Sequence, residues 1–179
     1  CGAGFIMARH NVVRKIKNRT TIILVMLLIS IMVSWVIWGN LSVETTKLTV
    51  TSKDLPEAFD KFSIAHISDL HNAEYGKNNE KLIDILEAES PNIIAITGDL
   101  IASNHTNLEV ALSFAQQAVK IAPCYFVTGN HEAWIGSQYE ELKTSLQNTG
   151  ITVLQDEAIE LNYGDVCIQL IGLNDPDFS

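Results

Sequence analysis

Asn92-Ile93-Ile94-Ala95-Ile96-Thr97-Gly98-Asp99 is an apolar run that ends on a glycine and a carboxylate. A run with no polar alternation suits a strand buried on both faces of a parallel sheet. Working outward in either direction finds the same arrangement again. Upstream, Ile64–Ile67 runs into Ser68-Asp69-Leu70-His71; downstream, Cys124–Val127 runs into Thr128-Gly129-Asn130-His131-Glu132. Asp69 lies 30 positions before Asp99, and Asn130 lies 31 positions after it. One strand, a crossover helix and the return to a parallel neighbour take about 30 residues. The three clusters therefore fall at the same end of adjacent parallel strands, where open α/β sheets form their ligand crevice. The fold class is α/β.

The connecting segments agree. Residues 79–88 carry Leu82, Ile83, Ile85 and Leu86 at helical spacing, and residues 108–121 carry Val110, Leu112, Ala115, Ala118 and Val119. Residues 137–148 form a third helical segment with Gly150 just past its end, a helix-stop signal. Beyond Gly150 the rhythm changes. Residues 151–154, 158–161 and 166–171 are strand-like, the last two joined by the hairpin-type turn Asn162-Tyr163-Gly164-Asp165. Near the start, the alternating Lys47-Leu48-Thr49-Val50-Thr51 predicts a first strand.

The chain has 179 residues, 47% hydrophobic and 18% charged, enough for one well-formed domain and not two. Its net charge of −9 hides an asymmetry. Residues 1–20 hold Arg9, Arg14, Lys15, Lys17 and Arg19 with no acid, while the remainder holds seven lysines, no arginine and all 21 acids, a balance of −14. So acidic a domain repels a phosphate backbone, which argues against nucleic acid as a partner. Bound cations can nevertheless invert the field locally and admit a phosphoester.

Residues 20–38 carry no charge, from Ile22-Ile23-Leu24-Val25-Met26-Leu27-Leu28-Ile29 on to Trp35 and Trp38. At about 1.5 Å per residue this length just crosses a hydrocarbon core. The basic cluster before it suits the cytoplasmic side, and the tryptophans suit the far interface. A cleavable signal peptide is the rival reading, but no small-x-small cleavage site follows Trp38. The organisation is thus a basic cytoplasmic N-terminus at 1–19, an uncleaved anchor at 20–38, a linker with the first strand at 39–60, and an extracytoplasmic domain over 61–179. Met7 opens a natural-looking start, and a lipidated Cys1 would duplicate the anchor.

The clusters have the chemistry of a metal site. An aspartate and a histidine two apart, as in Asp69 and His71, offer a hard oxygen and an imidazole nitrogen that suit zinc, manganese or iron. Gly98 lets the chain turn sharply before Asp99, whose two oxygens can bridge two cations. Gly129-Asn130-His131 adds an amide oxygen and a second imidazole. Two such cations can clamp the attacking and departing oxygens of an in-line displacement at phosphorus, with a hydroxide of lowered pKa as nucleophile.

These motifs, in this order, resemble the first three of the calcineurin-like metallophosphoesterases. The anchor, Leu55-Pro56 and the run from Ile64 to Asn72 resemble the membrane-associated bacterial branch, some of whose members act on lipid-linked or nucleotide-sugar pyrophosphates. The resemblance covers roughly residues 46–176. It implies a four-layer α/β/β/α sandwich, here incomplete, with a binuclear centre of two divalent ions (manganese, zinc or iron). It implies that Asp69 and His71 bind the first ion, that Asp99 bridges, and that Asn130 binds the second. His131 would contact the phosphate or protonate the leaving group. Members of the family complete the centre with later histidines, whereas the histidines here are His10, His66, His71, His105 and His131. The simplest expectation is an N-terminal portion with weak activity alone.

The resulting expectation is metal-dependent hydrolysis of a phosphoester or pyrophosphate bond, with a substrate that can be lipid-linked, at the extracytoplasmic face of a membrane. The alternative is a truncated or non-catalytic tethered metal-binding scaffold. A nuclease of the same fold is disfavoured by the acidic charge. Among the other residues, His66 reads as an imidazole that is packed or supports a ligand rather than binding a metal, His105 as solvated, and Cys124 and Cys167 as buried thiols. Asp175 and Asp177 read as turn residues. Glu132 reads equally as site support or as a helix start, and Trp134 as either substrate contact or packing.

Overall fold

The computed structural model describes residues 3–178, with side chains described for 19–39 and from 42 onward. Cys1 lies outside the described residues, and so do the basic side chains at positions 9, 14, 15 and 17. The chain divides into two units, the second being Val43–Ser179.

The first unit is one helix, α1 (Ala3–Leu41). Its stretch Arg19–Gly39 is long and apolar enough to cross a membrane by length and composition. Every side chain from 19 to 39 is exposed, the apolar ones included. A helix apolar all round satisfies its backbone internally, and lipid can solvate the rest.

In the second unit, β1 (Ile64–Ile67), α2 (Glu80–Glu89), β2 (Ile93–Thr97), α3 (Leu108–Ala118) and β3 (Cys124–Val127) follow the expected order. They are followed by α4 (Asn130–Trp134), α5 (Gln138–Thr149) and a short β4 (Thr152–Val153). The four strands pair in chain order, all parallel, with Ile67 opposite Ile96 and Ile96 opposite Phe126. Right-handed crossovers between strands in sequential order place all the connecting helices on one face. That is where they lie. Leu82, Ile83 and Leu86 of α2, Phe114 and Ala115 of α3, and Leu142 and Leu146 of α5 pack with Ile94, Ile96, Phe126 and Val153 of the sheet. Ala111, Ala115 and Ala118 keep the contact face of α3 small, and Phe114 and Phe126 are essentially fully buried. Each such large side chain contributes roughly 1.5–3 kcal/mol by leaving water. Asn107 caps α3, its side chain accepting from the N–H groups of Glu109 and Val110. Gly150 ends α5 in the left-handed region, at φ 101°.

The chain then forms an antiparallel hairpin, β5 (Glu157–Tyr163) and β6 (Val166–Gly172), closed by Gly164-Asp165 with Gly164 at φ 60°. The hairpin packs on the sheet face opposite the helices. A second apolar cluster joins Phe59, Ile93 and Leu161 with Phe62, Tyr125, Ile168 and Leu170. The described residues thus build three layers: helices, parallel sheet and antiparallel hairpin.

Three expectations need correction. Residues 47–51 form no strand; they have no ladder partner among the described residues, and Leu48 and Val50 are open to solvent. Alternation alone cannot supply a neighbouring edge. Cys124 is buried as expected, and burial pushes its thiol up to about 12, but Cys167 is exposed. It sits on a hairpin strand whose side chains alternate between packed and open faces. His66 is exposed rather than packed, and its Nε2 lies 2.6 Å from the Thr97 hydroxyl of the neighbouring strand.

Candidate metal centre

The three strand-end loops meet beyond the carboxyl edge of the sheet, because the strands are parallel and in register. Their backbones are bonded directly. Asp69 N–H donates to the Gly98 carbonyl (3.3 Å), His71 N–H to that of Asp99 (2.8 Å), and Asn72 N–H to that of Leu100 (3.1 Å). These bonds hold Asp69, His71, Asn72 and Asp99 in the left-handed region, at φ 56°, 47°, 59° and 51°. Such conformations cost non-glycine residues about 1–3 kcal/mol each and persist where surrounding contacts over-determine them.

Two glycines bring the second and third loops together. A Cβ on Gly98 would stand 2.5 Å from the Gly129 nitrogen, and one on Gly129 would stand 2.4 Å from Asp99 Oδ1. Gly98 also needs its positive φ of 85°, whereas Gly129 is required by space alone. The close approach lets His131 N–H donate to Asp99 Oδ1 at 2.9 Å.

Glu132 holds this junction from beneath. It is fully buried, and its carboxylate accepts from Asp99 N–H (2.8 Å), Gly129 N–H (2.8 Å) and Ile101 N–H (3.3 Å). Burial is the main cause that pushes its carboxyl above the usual range; the three N–H groups oppose that, and the charge of Asp99 adds to it. Both readings of Glu132 hold together, since one carboxylate caps α4 through Gly129 and ties the Asp99 loop to it. Asn72 plays a matching part on the other side. Its side-chain oxygen accepts from Ala102 N–H (2.9 Å) and Asn107 N–H (3.1 Å), and its amide donates to the Asn107 carbonyl (2.7 Å). Sequence reasoning missed Asn72, and the only signal was its place directly after His71.

Of the five residues singled out in the sequence, His71, Asp99 and His131 each bring one donor atom within 4.8 Å of the others. The rings of His71 and His131 meet edge to face at 4.5 Å. Asp69 is on the rim: its Oδ1 lies 3.7 Å from His71 Nε2, and the Ser68 hydroxyl donates to its other oxygen. Asn130 opens α4, directly beside His131 and half-buried. The donor set of carboxylates, an amide and imidazoles fits a divalent cation of the manganese, iron or zinc kind.

His131 differs from His71 in one respect. The backbone N–H of Ser103 donates to its Nδ1 at 2.9 Å. That lone pair is occupied, so the neutral ring carries its proton on Nε2 and presents an N–H, not a ligand lone pair. Proximity alone groups His131 with His71 and Asp99; its hydrogen bonding sets it apart. On its outer side it meets the indole of Trp134, ring centres 4.9 Å apart, and Trp134 Nε1 donates to Asp177 at 2.8 Å.

Comparison with known proteins adds four matches. A family model described as calcineurin-like phosphoesterase matches residues 62–174. The chain is 27% identical over 137 residues to the "Uncharacterized metallophosphoesterase YkoQ" of Bacillus subtilis (strain 168), covering 74% of this chain and 50% of that one. It is 29% identical over 136 residues to an "Uncharacterized metallophosphoesterase" of Aquifex aeolicus (strain VF5), covering 73% and 49%. It thus spans about half the length of these curated relatives. The crystal structure of phosphopantetheinyl hydrolase (PptH) from Mycobacterium tuberculosis aligns with a TM-score of 0.47 and 17% identity, over 62% of this chain and 41% of that one.

Proposed function

The chain belongs to the calcineurin-like phosphoesterase family, and from that premise we propose that it hydrolyses a phosphoester or pyrophosphate bond with two divalent cations. Asp69 and His71 would hold one ion, Asn130 the other, and Asp99 would bridge them. When bound, the cations supply Lewis-acid chemistry: positive charge for the phosphoryl oxygens and a water of lowered pKa.

The chain's own residues do the rest. Asp99 is fixed by the His131 N–H on its carboxylate and by Glu132 on its backbone, so its position is set before any ligand arrives. His131 directs its Nε2–H at the phosphoryl or leaving oxygen, the role its Ser103 partner leaves open. Donors aimed in advance at developing charge need no reorganisation during reaction.

The observation that carries this reading is the convergence of His71, Asp99 and His131 from three separate strand ends. The test is turnover of an aryl phosphate and a bis-aryl phosphodiester by the Mn²⁺- or Zn²⁺-loaded chain. Metal-dependent hydrolysis abolished by Asp99→Ala supports it.

The proposed setting is a membrane surface, with α1 as anchor, the basic N-terminus in the cytoplasm and the domain outside. The uncharged stretch and its basic flank support this. A signal sequence accounts for the same helix, and the length of the mature chain recovered from membranes decides between them. An anchored site also suits a lipid-linked substrate.

A further inference from the structure

We propose that Trp134 is a platform for the leaving group: a flat, uncharged ring of the substrate stacks on its indole while the phosphoryl group occupies the adjoining donor cluster. This rests on the phosphoesterase reading above. Trp134 ends α4 and is 59% exposed, so burial does not hold this large apolar side chain in place.

Two oriented contacts hold it instead. One face leans on His131 at 4.9 Å and an interplanar angle of 44°, and the indole N–H is tied to Asp177 at 2.8 Å. Asp177 is itself anchored. Its N–H donates to the Asp175 carboxylate (2.9 Å), and Asp175 N–H donates to the Thr128 hydroxyl (3.2 Å). Thr128 is buried directly before Gly129-Asn130. Phe178 meets the buried ring of Tyr139 edge to face at 4.8 Å and seats the same turn. The indole plane is thus fixed to the loop that carries Asn130 and His131.

The rings of His71, His131 and Trp134 follow one another at 4.5 and 4.9 Å, so the indole is the next surface outward from the donor cluster. A substituent on an oxygen held at His131 meets it first. A cationic head group would share the crevice with the bound ions and be repelled, whereas a neutral ring gains stacking and apolar contact.

The test is calorimetric binding of phenylphosphonate and methylphosphonate to the full chain loaded with Mn²⁺. The expected result is a phenylphosphonate Kd about threefold to tenfold lower. Trp134→Ala should bring the ratio of the two constants close to one, and Trp134→Phe should keep most of it. Asp177→Ala, which frees the indole, should reduce it. A ratio that survives Trp134→Ala, or a wild-type chain that binds both phosphonates equally, overturns the platform and leaves the phosphoesterase reading standing. Binding of neither phosphonate overturns both.

Discussion

Ser103 donates its backbone N–H to Nδ1 of His131 at 2.9 Å, and this single bond decides which nitrogen of the ring faces the site. A ring so held offers an N–H and gives up its role as a ligand. His131→Ala should therefore lower kcat/KM for an aryl phosphate by about 10²–10³-fold, the usual effect of removing one preorganised donor. His131→Gln, which keeps a side-chain N–H, should lose less. Elemental analysis of both variants should show the wild-type metal content. Loss of metal from His131→Ala would make it a ligand instead.

Glu132 satisfies three backbone donors on two loops, two of them buried and that of Gly129 half-buried. Glu132→Ala strands all three, and each unsatisfied group costs about 1–3 kcal/mol. The expected loss is at least about 2 kcal/mol in urea unfolding of the Val43–Ser179 unit. A loss under about 0.5 kcal/mol, the size of an ordinary surface change, would show that the carboxylate is not holding the junction.

Gly129 is constrained by space, with Asp99 Oδ1 lying 2.4 Å from where a Cβ would stand. Gly129→Ala should displace the Asp99 carboxylate, weaken Mn²⁺ uptake measured by calorimetry, and cost about 1–3 kcal/mol of stability. Gly136, which has open space around its Cβ position but a φ of 56°, provides the contrast. Gly136→Ala should cost stability through its backbone yet leave Mn²⁺ affinity as it was.

Tyr139 carries a buried hydroxyl with no hydrogen-bond partner among the described residues. Burial pushes it up to about 12 from 10.0, and the charges of Glu140 and Glu132 add to the effect. Between those values the native state binds more protons than the unfolded one. Its contribution to stability is therefore complete below pH 10 and drains away as the pH rises towards 12. Tyr139→Phe removes the orphan hydroxyl, so it should be neutral or stabilising at pH 7. It should also flatten the loss of stability above pH 10. A variant less stable by more than about 1 kcal/mol at pH 7 would mean that the hydroxyl has a partner.

The sheet was legible because burial on both faces leaves an unmistakable trace. Ile93, Ile94 and Ile96 are all buried, and each strand ends where polar ligand types begin. The meeting of His71, Asp99 and His131 was legible for a second reason, since equal spacing converts positions in sequence into neighbours at one edge. The supports were not. Two of the three bonds Glu132 makes are to residues 31 and 33 positions away, and Asn72 bonds 30 and 35 positions away. No local pattern encodes such partners. Lys47–Thr51 failed in the opposite sense: its alternation is real, but a strand needs an edge to pair with. Asp177 read as a turn residue, and its hold on Trp134 spans 43 positions.

The central claim is that Asp69, His71, Asp99 and Asn130 gather divalent cations for hydrolysis at phosphorus. The most direct measurement is the Mn²⁺ content and aryl phosphatase rate of the purified chain beside its Asp99→Ala variant. The account predicts stoichiometric metal and metal-dependent turnover in the first, and loss of both in the second. Equal metal content and equal turnover in the two proteins would contradict it.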